Sequence, residues 1–349
     1  TGRAIDYHRA CLNGGAARVG SYRALRQLFL RLEDEDGAFC SEAVLVGLER
    51  AEDEEQYFYK LRRRRHGLKP NQSIGDVAAV MPDATCAEVQ LVTALAPALE
   101  RAFPPDLDDY DLDDGDGVTG RIADVAGQMA TVLGLPRPAV HEIIAQLRPA
   151  AEPGRLLFPR QVLEAVRREQ QFLCGALIVW QANGGWITIP SRAAALSPRE
   201  LGCVLEAGRP LAGGPAPTAT GDVVYEDIKT RLEAGLDDDV IAAVRRVDSS
   251  TPIDGNAVIA RYAQAAMRAG ILCAGDPAVA VAAMRSHMGV FGGRGEDGVA
   301  GLSPAALRAL TFAVSAEHAE LRTRIRAASV AKKEARAAKA NKSRKRGGK

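Results

Sequence analysis

Residues Thr218 to Ala266, TATGDVVYEDIKTRLEAGLDDDVIAAVRRVDSSTPIDGNAVIARYAQAA, decide how the rest of the chain is read. Apolar residues recur at helical spacing on both sides of two polar turns, which predicts two helix, loop, helix units set back to back. In the first unit Gly221 is followed by Val223 and then by Asp227. That is the order of turn glycine, apolar residue and closing carboxylate in a calcium-chelating loop. The second unit opens with Asp248, Ser249 and Ser250, turns at Asp254-Gly255, and returns to a helical pattern at Val258, Ile259 and Tyr262.

The same spacing recurs along the chain with its ligands replaced. Gly37 with Phe39 places Asp34 and Asp36 at inner loop positions but leaves Leu32 and Ala43 at the two ends. Gly117 places Asp114 and Asp116 likewise, between Leu112 and Ala123. Gly154 with Leu156 lies between Pro149 and Arg160, and Gly185 with Ile187 between Trp180 and Ser191. In the opening stretch itself Ala216, Thr218 and Thr220 take the early positions, and the run from Asp248 to Gly255 is two residues too long. Calcium needs oxygen from the first loop residue and a bidentate carboxylate from the last. Weak calcium binding or none is therefore expected, with Asp34, Asp36, Asp114, Asp116, Asp227 and Asp248 as the carboxylates available to it.

On these residues the chain resembles the calcyphosin-like EF-hand family over about fifty residues, in the GDxV loop and in the DSS…DG loop that follows. With the recurring spacing, the resemblance implies tandem EF-hand-like helix-loop-helix pairs with short β-bridges between loops in a mainly α fold, and the residues after the cap signal Ser303-Pro304 predict a long helix that becomes a basic C-terminal tail. The recurring units divide the chain into an N-terminal EF-hand-like domain over 1–135, a central helix-loop-helix pair over 136–206 and the calcyphosin-like pair over 207–275. A helical extension over 276–321 and a basic tail over 322–349 follow. The resemblance also implies association with cilia and a structural role on axonemal microtubules.

Composition sets independent limits. The 349 residues are rich in Ala, Leu, Val and Gly and poor in aromatics, which favours helix. The net charge of +1 hides an asymmetry: from Arg322 to Lys349 twelve Lys/Arg face one acid, which leaves the first 321 residues at about −10. Lys332, Lys333, Lys342, Arg344, Lys345 and Arg346 in that tail, with Arg62, Arg63, Arg64 and Arg65 of the KLRRRR run, are the candidate polyanion-binding residues. The bland alternative for KLRRRR is a solvated helix face with intrahelical pairs. For the tail it is a solubilising extension.

Six scattered cysteines show neither zinc spacing nor a disulfide framework, so they are expected as core residues in a reducing, cytoplasmic setting. No apolar run reaches the length of a membrane span. There is no HExxH, GxSxG or P-loop, and the five histidines are widely spaced. Gly293, Gly295 and Gly298 match GxGxxG, but no strand pattern precedes them. The chain is therefore expected to be no enzyme and to need no cofactor, calcium apart. It is expected instead to serve as a scaffold in a large assembly whose partners are proteins, tubulin among them. An RNA-binding structural protein, such as a ribosomal accessory subunit or viral nucleocapsid, and a weak calcium sensor are the alternatives.

Overall fold

Small side chains let helices approach closely, and the alanine-rich end of the opening stretch becomes the centre of the molecule. In the computed structural model, Gly255–Ala274 is one helix of 20 residues. Its residues Ala265 to Ala274 are all buried. The structure describes residues 2–13, 19–68, 70, 72–81, 86–105, 107–112, 117–144, 146–248, 254–291 and 302–326. The fold is mainly helical with one small sheet, as the composition predicts.

In chain order come α1 (Gly2–Asn13), α2 (Val19–Arg31), α3 (Glu35–Gly47), α4 (Asp53–His66), α5 (Ala87–Ala102) and α6 (Arg121–Leu133). Strands β1 (Ala139–Ile143), β2 (Ala150–Glu152) and β3 (Arg155–Pro159) precede α7 (Arg160–Glu164) and α8 (Arg167–Gln181). Then follow α9 (Pro198–Gly208), α10 (Val223–Gly235), α11 (Asp238–Val244) and α12, the central helix. The chain continues through α13 (Pro277–Ser286), α14 (Met288–Phe291) and α15 (Pro304–Phe312). A last helix, α16, is described over 316–326.

Against α12 lies α8, and the two touch where Gly175 faces Cys273. A Cβ on Gly175 would stand 2.6 Å from both Cβ and Sγ of Cys273. Gly175→Val is therefore expected to destabilise the fold by about 1–3 kcal/mol, since a packed core yields little to added volume. An unchanged urea midpoint would contradict that close approach.

The predicted calcium loops meet the start of helices instead. Leu32–Asp34 is a three-residue turn, and α3 is under way from Glu35, so Asp36 lies in its first turn. Asp34 caps the helix by accepting the Gly37 N–H at 2.9 Å. The sequence EDEDG thus acts as a helix start, in which carboxylates satisfy the orphan N–H groups and complement the helix dipole. Likewise Asp222 caps α10 through the Val224 N–H at 2.9 Å. Asp227 then falls within α10, and Val223, expected to pair across a loop, is 83% exposed.

The stretch predicted as helix, loop, helix from Pro138 holds the sheet. Its order is β1-β3-β2, with β1 parallel and β2 antiparallel to β3. Apolar runs this short suit either element, and the β-branched Val140 and Ile143 and the Pro153-Gly154 turn tip them to strand. The sheet carries a buried ion pair on its inner side. Glu152 accepts Arg192 Nε at 2.7 Å and the Tyr110 hydroxyl at 2.8 Å. Arg192 also donates to the Phe103 carbonyl at 3.1 Å and lies over the Trp186 ring.

One contiguous cluster of buried apolar side chains runs from Ile5 to Ile325 and crosses each of the segment borders read from the sequence. Of the six cysteines, all free, Cys40, Cys174, Cys203 and Cys273 are buried and Cys11 and Cys86 half-buried. Among the described residues no helix is long and apolar enough to cross a membrane.

Candidate functional site

The KLRRRR run lies on α4, where Arg62 and Arg63 reach carboxylates outside their own helix. Glu42, in the apolar run of α3, is fully buried and accepts Arg26 Nε at 2.7 Å. Arg62 donates to the same oxygen. Asp276, also fully buried, accepts Arg63 Nε at 2.7 Å, Arg168 Nη1 at 3.2 Å and the Tyr59 hydroxyl at 3.0 Å. It also caps α13 by accepting the Ala278 N–H at 3.1 Å. Burial, with Asp276 alongside, pushes the Tyr59 phenol up. Arg62 and Arg63, expected at a polyanion surface, thus neutralise buried carboxylates, which cannot stay charged in the interior without such partners. Arg64 and Lys60 are exposed and make no ion pair among the described residues. Arg65 is largely exposed, with Glu35 at 3.4 Å.

The C-terminal end of α4 is held to the far end of the chain. Asp36 accepts Arg322 through Nε and Nη2, both at 2.8 Å, and Arg326 Nη2 at 2.6 Å. The same two guanidiniums donate to the His66 carbonyl, the last of α4, at 2.6 and 2.8 Å. Two cations at a helix C-terminus meet both its unpaired carbonyl and its dipole. Burial works to raise the Asp36 carboxyl, and the guanidiniums outweigh it and hold the group down at about 2. Arg322, read from the sequence as the first residue of a basic tail, is fully buried in α16. The long helix predicted from Ser303-Pro304 begins as expected, with Ser303 capping α15 through the Ala306 N–H, but it breaks at 313–315 before α16.

One turn before Arg322, His318 is buried with Nδ1 at 2.9 Å from the Ala313 carbonyl. Its ring packs on Phe312, 4.8 Å between centroids. Burial and the neighbouring Arg322 push it down to about 3, so it is neutral at ordinary pH.

The other carboxylates read as calcium ligands are not brought together. Asp227 is exposed and pairs with Arg231 at 3.1 Å, one turn on. Asp248 is exposed beyond α11. Asp114 and Asp116, the six tail residues Lys332, Lys333, Lys342, Arg344, Lys345 and Arg346, and the GxGxxG glycines lie outside the described residues. Among the described residues no group of three or more His, Cys, Asp or Glu is placed to hold a metal ion.

Two clefts adjoin over α5, of about 780 and 410 Å³, and share Thr93, Pro97 and Asn183. Between them Asn183 takes a left-handed backbone, φ 56°, and its carbonyl accepts the Tyr262 hydroxyl at 2.8 Å. Of the acids lining the larger cleft, Asp237 is committed to capping α11 and to Arg101 at 2.7 Å.

Sequence reasoning missed Glu42, Asp276 and Arg26. Asp276-Pro277 after a long apolar helix is a cap signal and was open to reading. A lone Glu within GAFCSEAVLVG gives no hint of its partner, because Arg26 and Arg62 come from other helices. No known protein family matches the chain, and no curated protein or solved structure is detectably similar to it.

Proposed function

We propose that the chain is a non-catalytic helical scaffold that holds an acidic protein surface at the corner where Arg326 meets the end of α4. The observation that carries this reading is the clamp of Arg322 and Arg326 on Asp36 and the His66 carbonyl. It brings Arg326 to the end of α4, the helix that carries the exposed cations Lys60, Arg64 and Arg65, and residues 327–349, which follow Arg326 in sequence, hold nine Lys/Arg and one acid. Charges of one sign gathered on one corner attract polyanions over a distance set by salt.

The calcyphosin-like resemblance directs the first choice of partner to the acidic tubulin tails of axonemal microtubules, with helix pairs of EF-hand type serving as architecture. The test is co-sedimentation of the full chain with intact microtubules and with microtubules whose acidic tails have been removed by protease. Binding is expected to weaken ~10-fold or more on tail removal, on deleting residues 327–349, or at raised salt. Binding to RNA but not to microtubules would replace this reading with the RNA-binding one. Micromolar calcium binding by calorimetry would replace it with a sensor.

A further inference from the structure

The outer face of α4 carries a pattern that the clamp does not use. Glu54, Tyr57, Leu61 and Arg64 fall three, four and three residues apart, the spacing of the contact seam in a two-helix coil. All four are exposed, Tyr57 by 64% and Leu61 by 58%. Among the described residues Arg64 makes no ion pair, and Glu54, though 3.2 Å from Arg26, has a side chain 70% exposed.

The order along the seam is acid, apolar, apolar, base, and it is symmetric about residue 59. Such a face complements itself. A second α4 laid antiparallel, with a two-fold axis at the level of residue 59, sets Glu54 against Arg64 of the second copy and Tyr57 against Leu61, each contact occurring twice. Asp53, exposed at the N-terminal end of α4 and without an ion pair among the described residues, adds to the acidic end, and Lys60 lies exposed near the axis. We propose that the protein self-associates as a two-fold dimer through this face of α4. The inference is argued from the seam, but it shares Arg64 and Lys60 with the acidic-partner corner proposed above, so the two contacts compete for those cations. From Glu54 to Arg64 the seam spans ~15 Å, so the association is at the small end of specific interfaces and depends on concentration.

Sedimentation equilibrium of the full chain over a wide concentration range tests it. The wild type is expected to dimerise reversibly. Glu54→Arg and Arg64→Glu, each alone, bring like charges together and are expected to weaken dimerisation ~10-fold or more. Mixing these two single variants is expected to give a heterodimer, since one then presents bases where the other presents acids. The double variant Glu54→Arg/Arg64→Glu is expected to regain the wild-type constant, because reversal at both ends preserves the match. Leu61→Ser is expected to weaken every pairing. Circular dichroism and thermal melting of each variant report that the fold is kept. A wild type that stays monomeric throughout overturns the proposal. So does a folded double variant no better than the singles, which would give the face to a different, acidic partner.

Discussion

Lowering the pH from 6.5 towards 3 is expected to remove on the order of 4 kcal/mol of folding stability through one side chain, His318. In the folded chain its ring is enclosed and beside the Arg322 guanidinium, so it takes a proton only near pH 3. Unfolded, it takes one near 6.5. Between those values the unfolded state binds more protons, so stability is full above about 6.5 and is lost as the pH falls. The charged groups facing the ring are Arg322 on α16, Arg268 on α12 and Asp36 on α3. Urea midpoints measured from pH 7 to 3 check this against His318→Phe, which keeps an aromatic ring on Phe312. The variant's profile should be flatter over this range, and parallel profiles would remove His318 as the cause. Asp36 adds a second step in the same direction at lower pH. Its depressed carboxyl stabilises the fold above about 4, and that contribution is lost as the pH falls through about 2.

Glu152→Ala is expected to cost about 3–5 kcal/mol, because it leaves the Arg192 cation charged and fully enclosed. Arg192 would keep its bonds to the Phe103 and Ala194 carbonyls, which are dipoles and not counter-charges. Replacing both partners by apolar residues of like volume, Glu152→Leu with Arg192→Met, removes the charge along with the need for a partner. The double variant is therefore expected to be more stable than Glu152→Ala by denaturant unfolding. If it were less stable, the pair would be contributing more than mutual neutralisation.

Helices were legible in the sequence wherever the signal is local. Ser303-Pro304 starts α15, and Pro104-Pro105 follows the end of α5 at Ala102, because caps and prolines act on their own turn. Asp34, Asp36 and Gly37 show the limit of such reading. A carboxylate-rich turn before a helix and a chelating loop share residues and spacing, and what separates them is whether the first helix turn has already formed. The role of KLRRRR was illegible for a different reason. Four adjacent arginines look alike in sequence, yet on α4 they point in four directions, so Arg62 and Arg63 meet buried acids while Arg64 meets solvent. The partners Glu42 and Asp276 are contributed by α3 and α13, and nothing near the run announces them.

The clamp on Asp36 also orders events in time. Its partner Arg322 lies 286 residues further along the chain. At about 5–20 residues per second, a ribosome takes roughly 15–60 s to deliver the second half of that contact after the first. Throughout that interval α3 and the end of α4 lack the cations that neutralise Asp36 and meet the His66 carbonyl. That corner of the fold therefore closes only after Arg322 has been made, and a chain cut short before Arg322 lacks the clamp there.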